Sequence, residues 1–385
     1  MHVLSILPAL GFASLASAKY TLHEDYGTNS SFFDKFDFFT VRRSQTSLEG
    51  WTNSNQDSDP TNGYVDYVSR NVAESKGLIN ASTSNGVYIG VDHSNTASKP
   101  GRKSVRLEST STYQHGLVIL DLAHMPGSVC GTWPAFWMLG SDWPSHGEID
   151  IIEGVNDQSE NQMALHTSDG CTVKNTGFSG NLDTDNCYVD ADGQSANAGC
   201  AIMSSDTKSY GSGFNDAGGG VYATEWTGDA ISAWFFPSSS IPKDITAGYP
   251  VPSSWGTPAA KFAGSCDIDK HFKDLQIVFD ITFCGDWAGE ESVWSSSSCS
   301  SKASTCNDYV QNNPSAFEDS YWRLNSLKVY QESKSSGLDL DVDVDIDLDL
   351  SLGNGKRTAP YLRPGPRPKH HRERRHGHGH GHGHA

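Results

Sequence analysis

Between residues 19 and 331 no apolar period of 3.6 residues persists for the length of a helix, and this excludes most folds built on helices. Aromatic and β-branched residues gather instead in short runs, such as 116–122 (GLVILDL), 221–236, 275–283 (LQIVFDITF) and 322–330. Clusters of Gly, Ser, Asn and Asp separate the runs, and Thr227-Gly228-Asp229 marks a turn inside one of them. With 38 Gly, 10 Trp and only 19% charged residues, the composition argues against a coiled coil or helical bundle. The pattern predicts an all-β sandwich of two curved antiparallel sheets. A chain of 385 residues has room for two domains, but sandwiches reach roughly 200–250 residues as one domain. One domain over 19–331 with appended ends is the reading adopted.

The ends set the compartment. Residues 3–15 are apolar but too short to span a bilayer, and Ala16-Ser17-Ala18 forms a small-x-small cleavage pattern, so 1–18 reads as a secretory signal peptide. All 8 Cys follow it, which predicts disulfides in an oxidising, extracellular setting. Eight cysteines allow 105 pairings, and the sequence leaves the choice open. No C-x-x-C pair occurs, so neither a metal site nor a cofactor is expected. Asn29-Ser30-Ser31 and Asn80-Ala81-Ser82 are glycosylation sequons. No other long apolar run occurs, and a soluble monomer that does not bind membranes is expected. Residues 332–385 contain LDLDVDVDIDLDL at 338–350, a Pro/Arg-rich stretch and a Gly-His repeat, and read as a disordered tail. Of 28 Lys and Arg, 8 lie after residue 355, leaving 20 against 45 Asp and Glu before it. So acidic a body repels phosphate backbones, which excludes nucleic acid as a partner and leaves a neutral sugar polymer open.

Reactive chemistry concentrates at Gly147-Glu148-Ile149-Asp150-Ile151-Ile152-Glu153-Gly154, three carboxylates inside an apolar strand-like run. Burying even one there is costly without a function. Strand side chains alternate, so Glu148 and Asp150 share a face while Glu153 points away. One bulge at Ile151-Ile152 restores it to that face. Two carboxyls about 5–5.5 Å apart, one ionised and one protonated, are what cleavage of a glycosidic bond with retention requires.

The residues around this run carry a family resemblance. Trp133-Pro134-Ala135-Phe136-Trp137, Trp143, the E-x-D-x-x-E run and His166 resemble the active-site block of glycoside hydrolase family 16. Phe283-Cys284-Gly285-Asp286-Trp287-Ala288-Gly289 and Asn313-Pro314-Ser315-Ala316-Phe317 resemble its fungal laminarinase-like, endo-1,3(4)-β-glucanase branch. The resemblance implies a β-jelly-roll (concanavalin-like) whose concave sheet binds β-glucan, with Glu148 as nucleophile, Asp150 as its helper and Glu153 as acid/base. It also makes His166 a contact of the cluster, where residue type alone favours an ordinary core histidine. Sugars present flat C–H faces, so Trp133, Trp137, Trp143 and Trp287 are candidate platforms, Trp143 foremost and Trp137 equally readable as packing. The function expected is secreted endo-hydrolysis of β-1,3 and mixed 1,3/1,4 glucan. Alternatives on the same scaffold are a wall-glucan transglycosylase and a non-catalytic glucan-binding protein. No H-E-x-x-H, G-x-S-x-G, P-loop or dinucleotide motif competes.

Overall fold

A computed structural model of the chain describes residues 19–40, 59–82 and 84–333. The expected signal peptide at 1–18 and nearly all of the expected tail at 332–385 lie outside the described residues. Each of the four runs singled out above forms a strand or a hairpin: Gly116–His124, Gly220–Trp226 with Ile231–Pro237, Leu275–Phe283 and Tyr321–Glu332. The hairpin turns at 227–230, where Thr227 N–H donates to the Ala230 carbonyl at 3.0 Å. Among the described residues no helix exceeds the seven residues of Cys306–Asn312.

Two eight-stranded antiparallel sheets form the body, a β-jelly-roll sandwich. In the first, Gly116–His124 lies between Gly220–Trp226 and Tyr321–Glu332. In the second, the order through the centre is Cys200–Met203, Gln162–His166, Glu148–Glu153, Thr132–Leu139, Leu275–Phe283 and Arg106–Tyr113. Alternation decides which side chains meet between the sheets. Phe136, Met138, Ile149, Leu165, Ile277 and Phe279 project inward from the second sheet, and Leu120, Leu122, Trp322 and Leu324 from the first. Phe279 packs on Phe136 at 4.6 Å between ring centres and edge-on to Trp322 at 5.9 Å, which joins the two layers. Each such ring withdrawn from water is worth about 1.5–3 kcal/mol. The opposite face of the second sheet is thereby left to carry polar groups.

The pairing left open by the sequence is Cys130–Cys299, Cys171–Cys266, Cys187–Cys200 and Cys284–Cys306. Three of the four bridges fasten segments beside the central strands of the second sheet. Cys130–Cys299 and Cys284–Cys306 pin the segment carrying Trp287 to the start of Thr132–Leu139, and Cys187–Cys200 closes the loop that carries Asn197.

Candidate active site

The carboxylate strand Glu148–Glu153 runs between Thr132–Leu139 and Gln162–His166. Gly147 leads into it at φ +74°, and a Cβ there would meet the Phe272 ring at 2.5 Å and the His271 carbonyl at 2.6 Å, so only glycine fits. Glu148 is opposite Leu139 and His166, and Asp150 is opposite Trp137 and Ala164. Beyond Asp150 the register slips on both sides: Glu153 is opposite Gln162 across one ladder and Ala135 across the other. One extra residue on the carboxylate strand is the bulge expected at Ile151-Ile152, and both isoleucines are buried in the intersheet core. Glu153 therefore returns to the face of Glu148 and Asp150.

Each glutamate is held by an indole. Trp143 Nε1 donates to Glu148 Oε2 at 2.5 Å, and Trp133 Nε1 donates to Glu153 Oε1 at 2.8 Å. Trp287 meets the Trp133 ring edge-on at 5.5 Å, and Trp143 is 43% exposed, open to a ligand beside Glu148. Trp137 lies in the same row but turns its indole N–H to Asp280 Oδ1 at 2.9 Å, away from Glu148 and Glu153. His166 joins the cluster: its Nε2 is 3.3 Å from Asp150 Oδ2, and its Nδ1 is 3.1 Å from Asn197 Oδ1.

Electrostatics separates the groups. Burial, reinforced by the Asp150 charge, pushes Glu148 up to about 8, while His166 and the Trp143 N–H pull against it. Burial and Asp150 raise Glu153 well above the usual carboxylate range. Both carboxyls are thus held toward the protonated form, and the Asp150 charge acts on each. Burial alone would lower His166, but the hydrogen bond to Asp150 and the charges of Glu148, Asp150 and Glu153 outweigh it and raise the imidazole to about 9. Glu148, Asp150 and His166 present atoms within 4.8 Å of one another, a set that resembles a metal site.

Sequence reasoning passed over a second polar group on this face. Asp280, in the middle of Leu275–Phe283, accepts from Tyr67 Oη at 2.6 Å as well as from Trp137. The Arg106 guanidinium stacks 4.9 Å from the Trp137 ring and pairs with Glu108 at 2.8 Å. Burial pushes Asp280 up to about 6 against the pull of Arg106 and its two hydrogen bonds. The signal was present: a carboxylate inside the apolar run LQIVFDITF is the same anomaly that drew notice to Glu148–Glu153. Asn161 and Asn197 carried no such signal, because an asparagine beside a strand is unremarkable until its partners are known.

A jelly-roll sandwich with two indole-held glutamates, one buried and one half-buried, and a buried aspartate between them on the outer face of one sheet is the layout of a glycoside hydrolase. The model of the XgeA-like, catalytic GH16 domain matches residues 51–330, and the chain belongs to glycoside hydrolase family 16. It is 48% identical over 338 residues to an endo-1,3(4)-β-glucanase of Arthroderma benhamiae, covering 86% of this chain and 69% of that one. A probable glycosidase of Schizosaccharomyces pombe is 46% identical, with 83% and 71% covered. The chain spans less of some relatives, such as 41% of a probable endo-1,3(4)-β-glucanase of Aspergillus niger. Among solved structures, Laminarinase 16A of Phanerochaete chrysosporium, with 6-O-glucosyl-laminaritriose in donor and acceptor sites, is 40% identical at a TM-score of 0.73, with 81% of this chain and 99% of that one covered. An elongating family 16 β-1,3-glucosyltransferase is 47% identical at 0.71, with 81% and 100% covered.

Proposed function

We propose that the protein is a secreted endo-β-glucanase that hydrolyses β-1,3 and mixed 1,3/1,4 glucan with retention of configuration. The observation that carries this reading is the bulge, which sets Glu153 beside Glu148 and Asp150 on one face. Glu148 attacks the anomeric carbon while Glu153 gives its proton to the departing glycosidic oxygen, and a glycosyl-enzyme forms on Glu148. Water then enters, Glu153 takes its proton, and the sugar–Glu148 bond breaks with a second inversion. Asp150 orients Glu148 and its charge favours the protonated state of Glu153, which preserves the acid until the leaving group departs. The His166 cation offsets the carboxylates so that three can occupy one site. Trp143, Trp133 and Trp287 offer faces for glucose rings, with Trp137 further along the row.

The same glycosyl-enzyme can be intercepted by a sugar hydroxyl, and the 47% identical elongating glucosyltransferase favours transglycosylation as the second reading. Four disulfides accord with secretion after removal of residues 1–18. The catalytic domain comprises 19–331 and the tail 332–385. Reducing-end release from laminarin and barley glucan, with product lengths, tests the proposal. Hydrolysis predicts new reducing ends from wild type and none from Glu148→Gln; lengthened products without new ends mean transfer. Binding without release by either protein would leave only a glucan-binding module.

A further inference from the structure

Resting on the reading of Glu153 as acid/base, we propose that Asn161 is the residue that positions it, by clamping the bulge with both ends of its amide. A bulge inserts one residue into a ladder and leaves backbone groups without their strand partners. Here the groups are the Ile151 carbonyl and the Glu153 N–H. Asn161 Oδ1 accepts from Glu153 N–H at 2.9 Å, and Asn161 Nδ2 donates to the Ile151 carbonyl at 2.8 Å. The asparagine is fully buried. Its own backbone is fixed on both sides: its N–H donates to Ser209 Oγ at 3.0 Å, and its carbonyl accepts from Ser204 N–H at 2.8 Å. The clamp thus hangs from a loop outside the carboxylate strand.

The residue type follows from the task. One donor and one acceptor, side by side on a short planar group, must bridge residues 151 and 153. Asp lacks the donor, Ser and Thr lack the second atom, and Gln carries its amide one methylene farther from the backbone. Without the clamp two buried backbone groups lose their partners and the bulge loosens, so the Glu153 carboxyl is no longer held toward the scissile bond and gains access to water. Trp133 alone then holds its carboxyl. Nothing in this arrangement touches Glu148, so the nucleophile keeps its geometry.

The test compares wild type, Asn161→Ala, the isosteric Asn161→Asp and, as a reference, Glu153→Ala. Each is assayed for kcat/KM on a β-1,3-gluco-oligosaccharide and on a dinitrophenyl β-laminaribioside whose leaving group needs no proton, with melting curves to establish folding. A misplaced acid predicts a loss of about 100-fold on the oligosaccharide and no more than about threefold on the aryl substrate. It also predicts an alkaline limb moved to lower pH, since Glu153 is released toward water. Equal losses on both substrates, an unmoved alkaline limb, or failure of both Asn161 variants to fold would make Asn161 purely structural and overturn the inference. If Glu153→Ala itself shows no dependence on the leaving group, the acid/base reading fails; if Glu153→Ala shows it and folded Asn161 variants do not, only the role of Asn161 fails.

Discussion

Replacing Asp150 with Asn keeps its volume and removes one negative charge from the centre of the site. Atoms of Glu148, Asp150 and His166 lie within 4.8 Å of one another. At that separation, and an effective dielectric constant of about 20, two unit charges interact by about 3.5 kcal/mol. One pH unit corresponds to about 1.4 kcal/mol, so a lone carboxylate neighbour would move by about 2.5 units. Part of this is returned, because Asp150 also supports the His166 cation, which favours ionised carboxylates. The net expectation is a displacement of about 1–2 units toward acid. Its sign is the same for both limbs. Glu148 ionises more readily without the neighbouring charge, and Glu153 gives up its proton at lower pH for the same reason. The assay is kcat/KM for a soluble β-1,3-gluco-oligosaccharide from about pH 4 to 10, where free-enzyme ionisations are read. Rate at the optimum also falls by about 10–100-fold, because the charge of the His166–Asp150 ion pair is lost. Limbs that stay in place or move toward alkali would refute the assignment of Asp150 as the charge that raises its neighbours.

Trp143→Phe has the opposite sign: loss of the indole N–H on Glu148 Oε2 raises that carboxyl further, so the acid limb moves to higher pH and kcat/KM falls by about tenfold, in the same assay. Glu153→Gln separates stability from activity. Glu153 is raised in the folded state above its ordinary 4.5, so its contribution is fully present below about pH 4.5 and is lost as pH rises toward its folded value. The variant cannot ionise, so its Tm gains on wild type by several degrees between about pH 5 and 8 while turnover of oligosaccharides collapses; a Tm difference that shrinks with rising pH would contradict the raised carboxyl. Opening Cys187–Cys200 by double alanine substitution frees a loop whose bridged ends are 13 residues apart, at a cost of about 3 kcal/mol. A lower Tm is expected, together with weaker support of His166 by Asn197, read as a lower imidazole titration point by NMR.

Much of the sandwich was legible because alternation and turn residues are local. The runs 116–122 and 275–283 lie within strands of nearly the same length, and three carboxylates in an apolar strand announced both the site and the need for a bulge. His166 shows where residue type misleads. Taken alone it reads as a core histidine, yet its place across the ladder from Glu148 makes it a charged partner of the cluster. Trp137 reads as platform and as packing alike, since its ring lies in the tryptophan row while its N–H serves Asp280. What was not legible depends on contacts far apart in the chain. The four disulfides span 13 to 169 residues, Tyr67 reaches Asp280 across 213 positions, and Asn161 meets its partners only after a bulge has been made. No local pattern encodes such meetings.

Trapping the glycosyl-enzyme addresses the assignment of roles most directly. A fluorinated laminaribiosyl donor that forms the intermediate faster than water releases it should add one sugar unit to the intact mass, and peptide sequencing should place that unit on Glu148. An adduct on Glu153 or Asp150, or initial products of inverted configuration by NMR with no adduct at all, would contradict the account.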